Sequence, residues 1–163
     1  YPREVVYRTL RDKLPEVAAF LPDVERIDVK EHAVEGPRVR FVNEWHASAE
    51  IPKVAQAFIK PDMLSWTDYA LWDETDWSTE WRLETRFFKD KVKVGGRNFY
   101  KEEGGRTCVC VRGDLKIEAS VPGVPKLLQG KVAGEIERFV VRLITPNLTS
   151  LTKGLRKYLE QSR

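Results

Sequence analysis

The chain is poor in the residues that most often do chemistry or staple a fold. It has two cysteines, two histidines and a single methionine. Cys108 and Cys110 stand two apart in an apolar run, where a strand would point both side chains the same way. A disulfide across that spacing would be strained, so both read as free thiols in a reducing compartment, and a cytoplasmic location is expected. A C-x-C pair can hold a soft metal, but His32 and His46 lie far off in sequence. No metal site and no cofactor is therefore expected.

Other absences exclude whole function classes. No stretch approaches the roughly 20 uninterrupted apolar residues that a bilayer-spanning helix needs, and no charged n-region precedes an apolar h-region. There is no glycine-rich phosphate loop, no pair of carboxylates and no Ser-His-Asp set, so the commonest routes to nucleotide binding and hydrolysis are missing. The net charge of +3 is too small to imply nucleic acid. Aromatic and basic residues do not interleave, and the tryptophans lie in the most acidic segment, which would repel phosphate; no nucleic-acid partner is expected. Asn147-Leu148-Thr149 matches a glycosylation acceptor only formally, since it falls in a helical pattern.

What is present is an ordinary globular composition in 163 residues, enough for one domain, 1–163, with one substantial core. Its charge is two-sided: residues 66–81 are acidic, whereas Lys126 to Arg163 carry an excess of Lys and Arg. The acidic stretch, WTDYALWDETDWSTEW, holds four of the five tryptophans. Tryptophan favours burial and a run of carboxylates favours water. The stretch could be a sugar-stacking surface, an aromatic cage for a cation, an acidic metal site, or two half-buried strands.

Periodicity favours the strands. Pro2 followed by Val6, Leu10 and Leu14 predicts a short amphipathic helix, and Pro15 opens a second one carrying Val17, Ala18, Phe20 and Leu21. VERIDVKEHAVE, with Ile27 and Val29 on one face, turns at Gly36-Pro37 into a strand with Val39, Phe41, Asn43, Trp45 and Ala47 on one face. IPKVAQAFIKPDML reads as a short helix or loop insertion packed through Val54, Ala57 and Phe58. The Trp-rich stretch divides near Asp73 to Asp76. Its first half puts Trp66, Asp68, Ala70 and Trp72 on one parity; its second continues with Trp77, Thr79, Trp81, Leu83, Thr85 and Phe87 on one face. A further hairpin closes around Gly104-Gly105, with Thr107, Val109, Val111, Leu115, Ile117 and Ala119 aligned. A long helix follows, carrying one stripe at Leu128, Val132, Ile136, Phe139 and Leu143. A second, rotated stripe runs through Ile144, Leu148, Leu151, Leu155 and Tyr158, with a kink or brief break expected at Pro146.

Two short helices, about six antiparallel strands and one long closing helix make an uncommon order. The segment YPREVVYRTLRDKLPEVAAFLPDVERIDV resembles the helix-pair-into-second-strand region of the START and polyketide-cyclase superfamily (SRPBCC), and VPKLLQGKVAGEIERFVVRLI resembles its closing helix. The resemblance implies an α+β helix-grip fold, a curved antiparallel sheet wrapped around the C-terminal helix. The superfamily's first strand would then lie before Tyr1, leaving an exposed sheet edge. It also implies an internal cavity for a small hydrophobic ligand such as a lipid, sterol, quinone or polyketide.

On that fold Trp45, Trp81, Leu83, Phe87, Val111 and Ile117 would face Ile136, Phe139, Val140 and Leu143. With Phe41, Asn43, Trp66 and Asp68 they are the candidate ligand contacts, although large side chains could equally fill the space themselves. Asp68 is the sharpest of them: buried, it marks a head-group contact or an ion pair, but a register slip of one residue would put it in water. His46 points outward by alternation and is not assigned as a base, and no residue is assigned a catalytic role. The principal expectation is binding or transfer of the ligand, with a cyclase or aromatase acting in the same cavity as the alternative. Lys153, Arg156, Lys157 and Arg163 form a solvated face, or let a carrier touch an anionic membrane surface transiently.

Overall fold

The computed structural model describes residues 1–118 and 123–162, apart from the side chains of Pro146 and Asn147. Pro2 stands just before helix α1 (Arg3–Asp12), where its missing N–H costs nothing. Pro15 sits in the first turn of α2 (Leu14–Ala18). The four-residue spacing places Val6, Leu10 and Leu14 inward, and Tyr7 joins them with no exposed surface at all.

Six strands follow: β1 (Val24–Glu35), β2 (Arg38–Ala47), β3 (Ser65–Asp73), β4 (Ser78–Thr85), β5 (Val92–Glu103) and β6 (Arg106–Ile117). They pair antiparallel in sequence order, so each strand lies beside its chain neighbour. The sheet curves around α3 (Lys126–Gln161); α2 packs against β1 and α3, and α1 against β5, β6 and α3. Alternation survives into three dimensions on the central strands. Val39, Phe41, Asn43, Trp45 and Ala47 of β2 are buried, as are Trp66, Asp68, Ala70 and Trp72 of β3 and Thr79, Trp81, Leu83 and Thr85 of β4.

Local irregularities account for the departures. A bulge between Val29 and Glu31 reverses the faces of β1 beyond it, so that His32 stacks on Phe41; Val29, before the bulge and opposite buried Asn43, is still 44 % exposed on this edge strand. In the 51–64 segment two 3-10 turns replace a helix, and the buried residues are Ile51, Ala55, Ile59 and Leu64 instead of Val54, Ala57 and Phe58. Trp77 belongs to the β3–β4 turn, at a φ of +52°, half-buried against Tyr7 and beneath Arg3. Helix α3 runs through Pro146 without a break. Its N-terminal Leu128 is exposed, because the first turn projects past the sheet. Ala119 lies outside the described residues.

The central register explains the shape of the concave face. Ala70, Trp81, Gly96 and Gly113 lie in one cross-strand row. A Cβ on Gly113 would come within 2.8 Å of the Trp81 ring; one on Gly96 would meet that ring at 2.6 Å and collide with the Arg112 carbonyl. The indole therefore lies across two positions without side chains, and its Nε1 donates to Asn98 Oδ1 at 2.9 Å.

These contacts make Trp81 and its glycine bed the sensitive point of the sheet. Trp81→Ala is expected to cost about 3–5 kcal/mol, and Gly96→Ala about 1–3 kcal/mol or more because backbone must move. Glu80→Gln, one residue away on the outer face, is expected to stay within about 0.5 kcal/mol. Urea melts of the three variants check this; a neutral Gly96→Ala would contradict the packing described.

Candidate functional site

The core divides into two clusters, one around Trp45, Trp66, Leu83, Phe87 and Phe139, the other around Tyr7, Leu10, Phe41, Trp72 and Tyr100. A cavity of about 60 Å³ is lined from both. Leu10, Leu14, Trp45, Trp66, Ala70, Trp72, Trp81, Leu83 and Tyr100 form most of its wall, and Ile144, Leu148 and Leu151 of α3 close it. Asp68, Thr79 and Asn98 are its polar lining. A second cavity of about 130 Å³ shares Trp81, Ile144 and Leu148 with the first and extends between β6 and α3 past Val111, Gly113 and Val141. Trp81 is the partition between them. Val111 and Val141, 40 % and 42 % exposed, mark the outer opening.

The polar groups of the first cavity are incompletely paired. Asn43 Nδ2 donates a long hydrogen bond, 3.4 Å, to Asp68 Oδ2. Asn43 Oδ1, Asp68 Oδ1, Trp45 Nε1 and Thr79 Oγ1 are buried without a hydrogen-bond partner among the described residues. Burial pushes the Asp68 carboxyl up to about 6, opposed by Asn43 and by the nearby Trp45 indole, which favours the anion although it completes no hydrogen bond. Burial likewise lifts the Tyr100 phenol to about 12, near Thr79 and Asn98. The result is a small apolar chamber crossed by one carboxyl group that can gain or lose a proton near neutrality.

Of the residues expected at a ligand wall, Trp45, Trp66, Asp68, Trp81 and Leu83 line the first cavity. Val111 and Val140 line the second. Asn43 lies behind Asp68, while Phe41, Phe87, Ile136, Phe139 and Leu143 are closed core and Ile117 packs at its margin. The free space thus meets the second stripe of α3, not the first. Phe87 and Phe139, with ring centroids 6.2 Å apart, fill the gap at the helix's N-terminal half, whereas Ala70, Gly96 and Gly113 leave room near its middle. Leu10, read only as part of a helix stripe, was not assigned to the site, and Asn98 and Tyr100 escaped the sequence reading. The alternation Val94, Gly96, Asn98, Tyr100 on β5 is the signal that would have exposed the last two.

The other carboxylates of the Trp-rich stretch are on the outside. Asp73 pairs with Arg38, Glu74 with Arg8 and Arg11, and Asp76 with Arg97. His46 Nε2 also faces outward, 3.1 Å from Asp28 and 3.6 Å from Glu44. Arg26 and Lys30 already pair with those two carboxylates, so the group is an ion-pair network. Hollows of about 800 and 960 Å³ on the convex face lie among charged side chains such as Arg82, Lys93 and Arg112 and are open to solvent.

No family model matches the sequence, and no curated protein matches it. Among solved structures the chain is similar to the Zhui aromatase/cyclase from Streptomyces sp. R1128. The identity is 17 %, the match covers 99 % of this chain and 89 % of that one, and the TM-score is 0.64. An 18 kDa protein from Caulobacter crescentus matches at 16 % identity over 89 % of both chains, with a TM-score of 0.40. The first similarity establishes the fold: six antiparallel strands curved around a long C-terminal helix, with two short helices before them, is the α+β helix-grip arrangement of the START and polyketide-cyclase type. No helix among the described residues is long and apolar enough to cross a membrane.

Asp68 carries a pH signature. Its carboxyl holds its proton up to about pH 6 in the folded chain and only to the ordinary 3.8 when unfolded. Between those values the folded state binds more protons, so stability falls as pH rises through the window. The gap corresponds to about 2–3 kcal/mol. Asp68→Asn lacks this dependence, so the stability difference between variant and wild type should shift by that amount between pH 4 and 7.5 in urea melts. A difference independent of pH would mean that the carboxylate is solvated.

Proposed function

We propose that the protein binds a small hydrophobic molecule in the chamber between sheet and α3, without transforming it. The observation that carries this reading is the set of unpartnered polar atoms, Asp68 Oδ1, Trp45 Nε1 and Thr79 Oγ1 in a largely aromatic wall, with Asn43 Oδ1 unpartnered behind Asp68. Each buried polar atom left without a partner costs about 1–3 kcal/mol, which a ligand or water able to hydrogen-bond there recovers.

Size narrows the ligand. A cavity of about 60 Å³ has the volume of roughly two water molecules, and one of about 130 Å³ approaches the space that holds a benzene ring. A ligand built on a single flat ring with at least one hydrogen-bonding group, like a simple quinone or one ring of a polyketide, suits this conformation better than a sterol or a long-chain lipid. Either of those would require Trp81 to swing aside or α3 to lift. The exposed Lys153, Arg156 and Lys157 on α3 support a carrier that meets an anionic membrane surface, at about 1 kcal/mol per basic residue. The free thiols Cys108 and Cys110 suit a cytoplasmic location.

A cyclase or aromatase reading has one observation in its favour. Asp68, with its carboxyl raised to about 6 inside the cavity, can exchange a proton with a bound substrate near neutral pH. In a carrier, Asp68→Asn should cost about 1–3 kcal/mol of affinity. In an enzyme the same change should remove turnover while leaving affinity nearly intact.

Native mass spectrometry of freshly purified protein is expected to show one small molecule per chain, identifiable after extraction. If the chain runs bare, titration with quinones and polycyclic phenols should give one-to-one uptake with quenching of tryptophan fluorescence. A bare chain that takes up nothing from that panel, or from lipids, would overturn the binding reading.

A further inference from the structure

Cys108 and Cys110 lie on the convex face of β6, opposite Lys101 and Phe99 of β5, with the sheet between them and the interior chamber. Both are half-buried free thiols, and their Sγ atoms are 3.6 Å apart. Two strand steps separate their Cα atoms by about 6.7 Å, at the outer limit of about 6.8 Å for a disulfide. Closing the sulfurs to about 2.05 Å with the Cα atoms at that limit would make a strained, easily reduced disulfide. The strand therefore keeps the pair as a dithiol, two soft donors at a set spacing.

That spacing is a chelate bite. A tetrahedral cation with metal–sulfur bonds of about 2.3 Å spans a sulfur–sulfur edge of about 3.8 Å, within a few tenths of an ångström of the separation here. We propose that Cys108 and Cys110 form a bidentate site for a soft divalent cation of the zinc type on the outer face of the sheet. This site is separate from the ligand chamber and does not depend on the function proposed for it. Binding releases both thiol protons to solvent and forms two metal–thiolate bonds, with water or an outside donor completing the coordination. The distance in sequence to either histidine, which argues against a four-ligand structural zinc, does not bear on a two-thiolate surface site.

The test is titration of the reduced full-length chain with Cd²⁺ alone, followed by its sulfur-to-metal charge-transfer absorption and by calorimetry. One Cd²⁺ per chain is expected. Cys108→Ser and Cys110→Ser should each weaken binding at least tenfold, the double variant should lose the absorption band, and urea melts should show all three folded. As a second measurement, phenylarsine oxide should condense with both thiols of one chain, losing one water, and protect both from alkylation; neither single variant should form that adduct. Single variants that bind Cd²⁺ as tightly as wild type, loss of binding in His46→Ala instead, or one Cd²⁺ shared by two chains would each overturn the proposal.

Discussion

The concave face is organised by one large ring resting where two side chains are missing. Trp81 can lie across β5 and β6 only because Gly96 and Gly113 face each other in the pairing and withhold their Cβ atoms. The hydrogen bond to Asn98 then fixes which way the indole points. With the ring in this position, the space under α3 separates into an inner chamber with polar groups and an outer one opening between β6 and the helix. A smaller residue at 81 would merge the two, and a side chain at 96 or 113 would push the ring into one of them.

Around that point dense packing flanks an interior whose polar groups are incompletely paired. Tyr7 is packed edge-on against Trp72, Trp77 and Tyr100, with ring centroids 5.0–5.2 Å away, and donates to the Ser78 carbonyl. The Phe87 end is equally closed. Between these dense regions, Asn43, Asp68, Thr79 and Asn98 interrupt the apolar wall, and several of their polar atoms lack partners. A core selected for packing alone would carry valine or leucine there. These polar residues gather at the inner of the two cavities, and the outer one is lined mainly by apolar side chains.

The acidic, Trp-rich stretch reconciles its two preferences through the period of a strand. Trp66, Trp72 and Trp81 go inward, Asp73, Glu74 and Asp76 go to arginines outside, and Trp77 caps the turn between them. Neither a sugar surface nor a cation cage is required to account for the composition. Asp68 is the exception: it shares its parity with the tryptophans and is buried with them, where a slip of one residue would have put it in water.

Much of the fold was legible because alternation and helical spacing are local properties. Residues two apart on β2, β3 and β4, and three or four apart on α1 and α3, declare a common face whatever they pack against. The faces of Trp45 and Trp81 were therefore legible in the sequence, whereas that of Asp68 hung on the register of β3, which its pairing with β2 and β4 decided. The bulge after Val29, the 3-10 turns carrying Ile51, Ala55 and Ile59, and the unbroken course of α3 through Pro146 were decided by the tertiary structure. Pairing partners and surrounding contacts override weak local preference at such places. Tertiary structure also decided where the cavity lies, at Ile144, Leu148 and Leu151 and not beneath Ile136 and Phe139. A cavity is the volume left over between surfaces from distant parts of the chain, and no local pattern encodes a remainder.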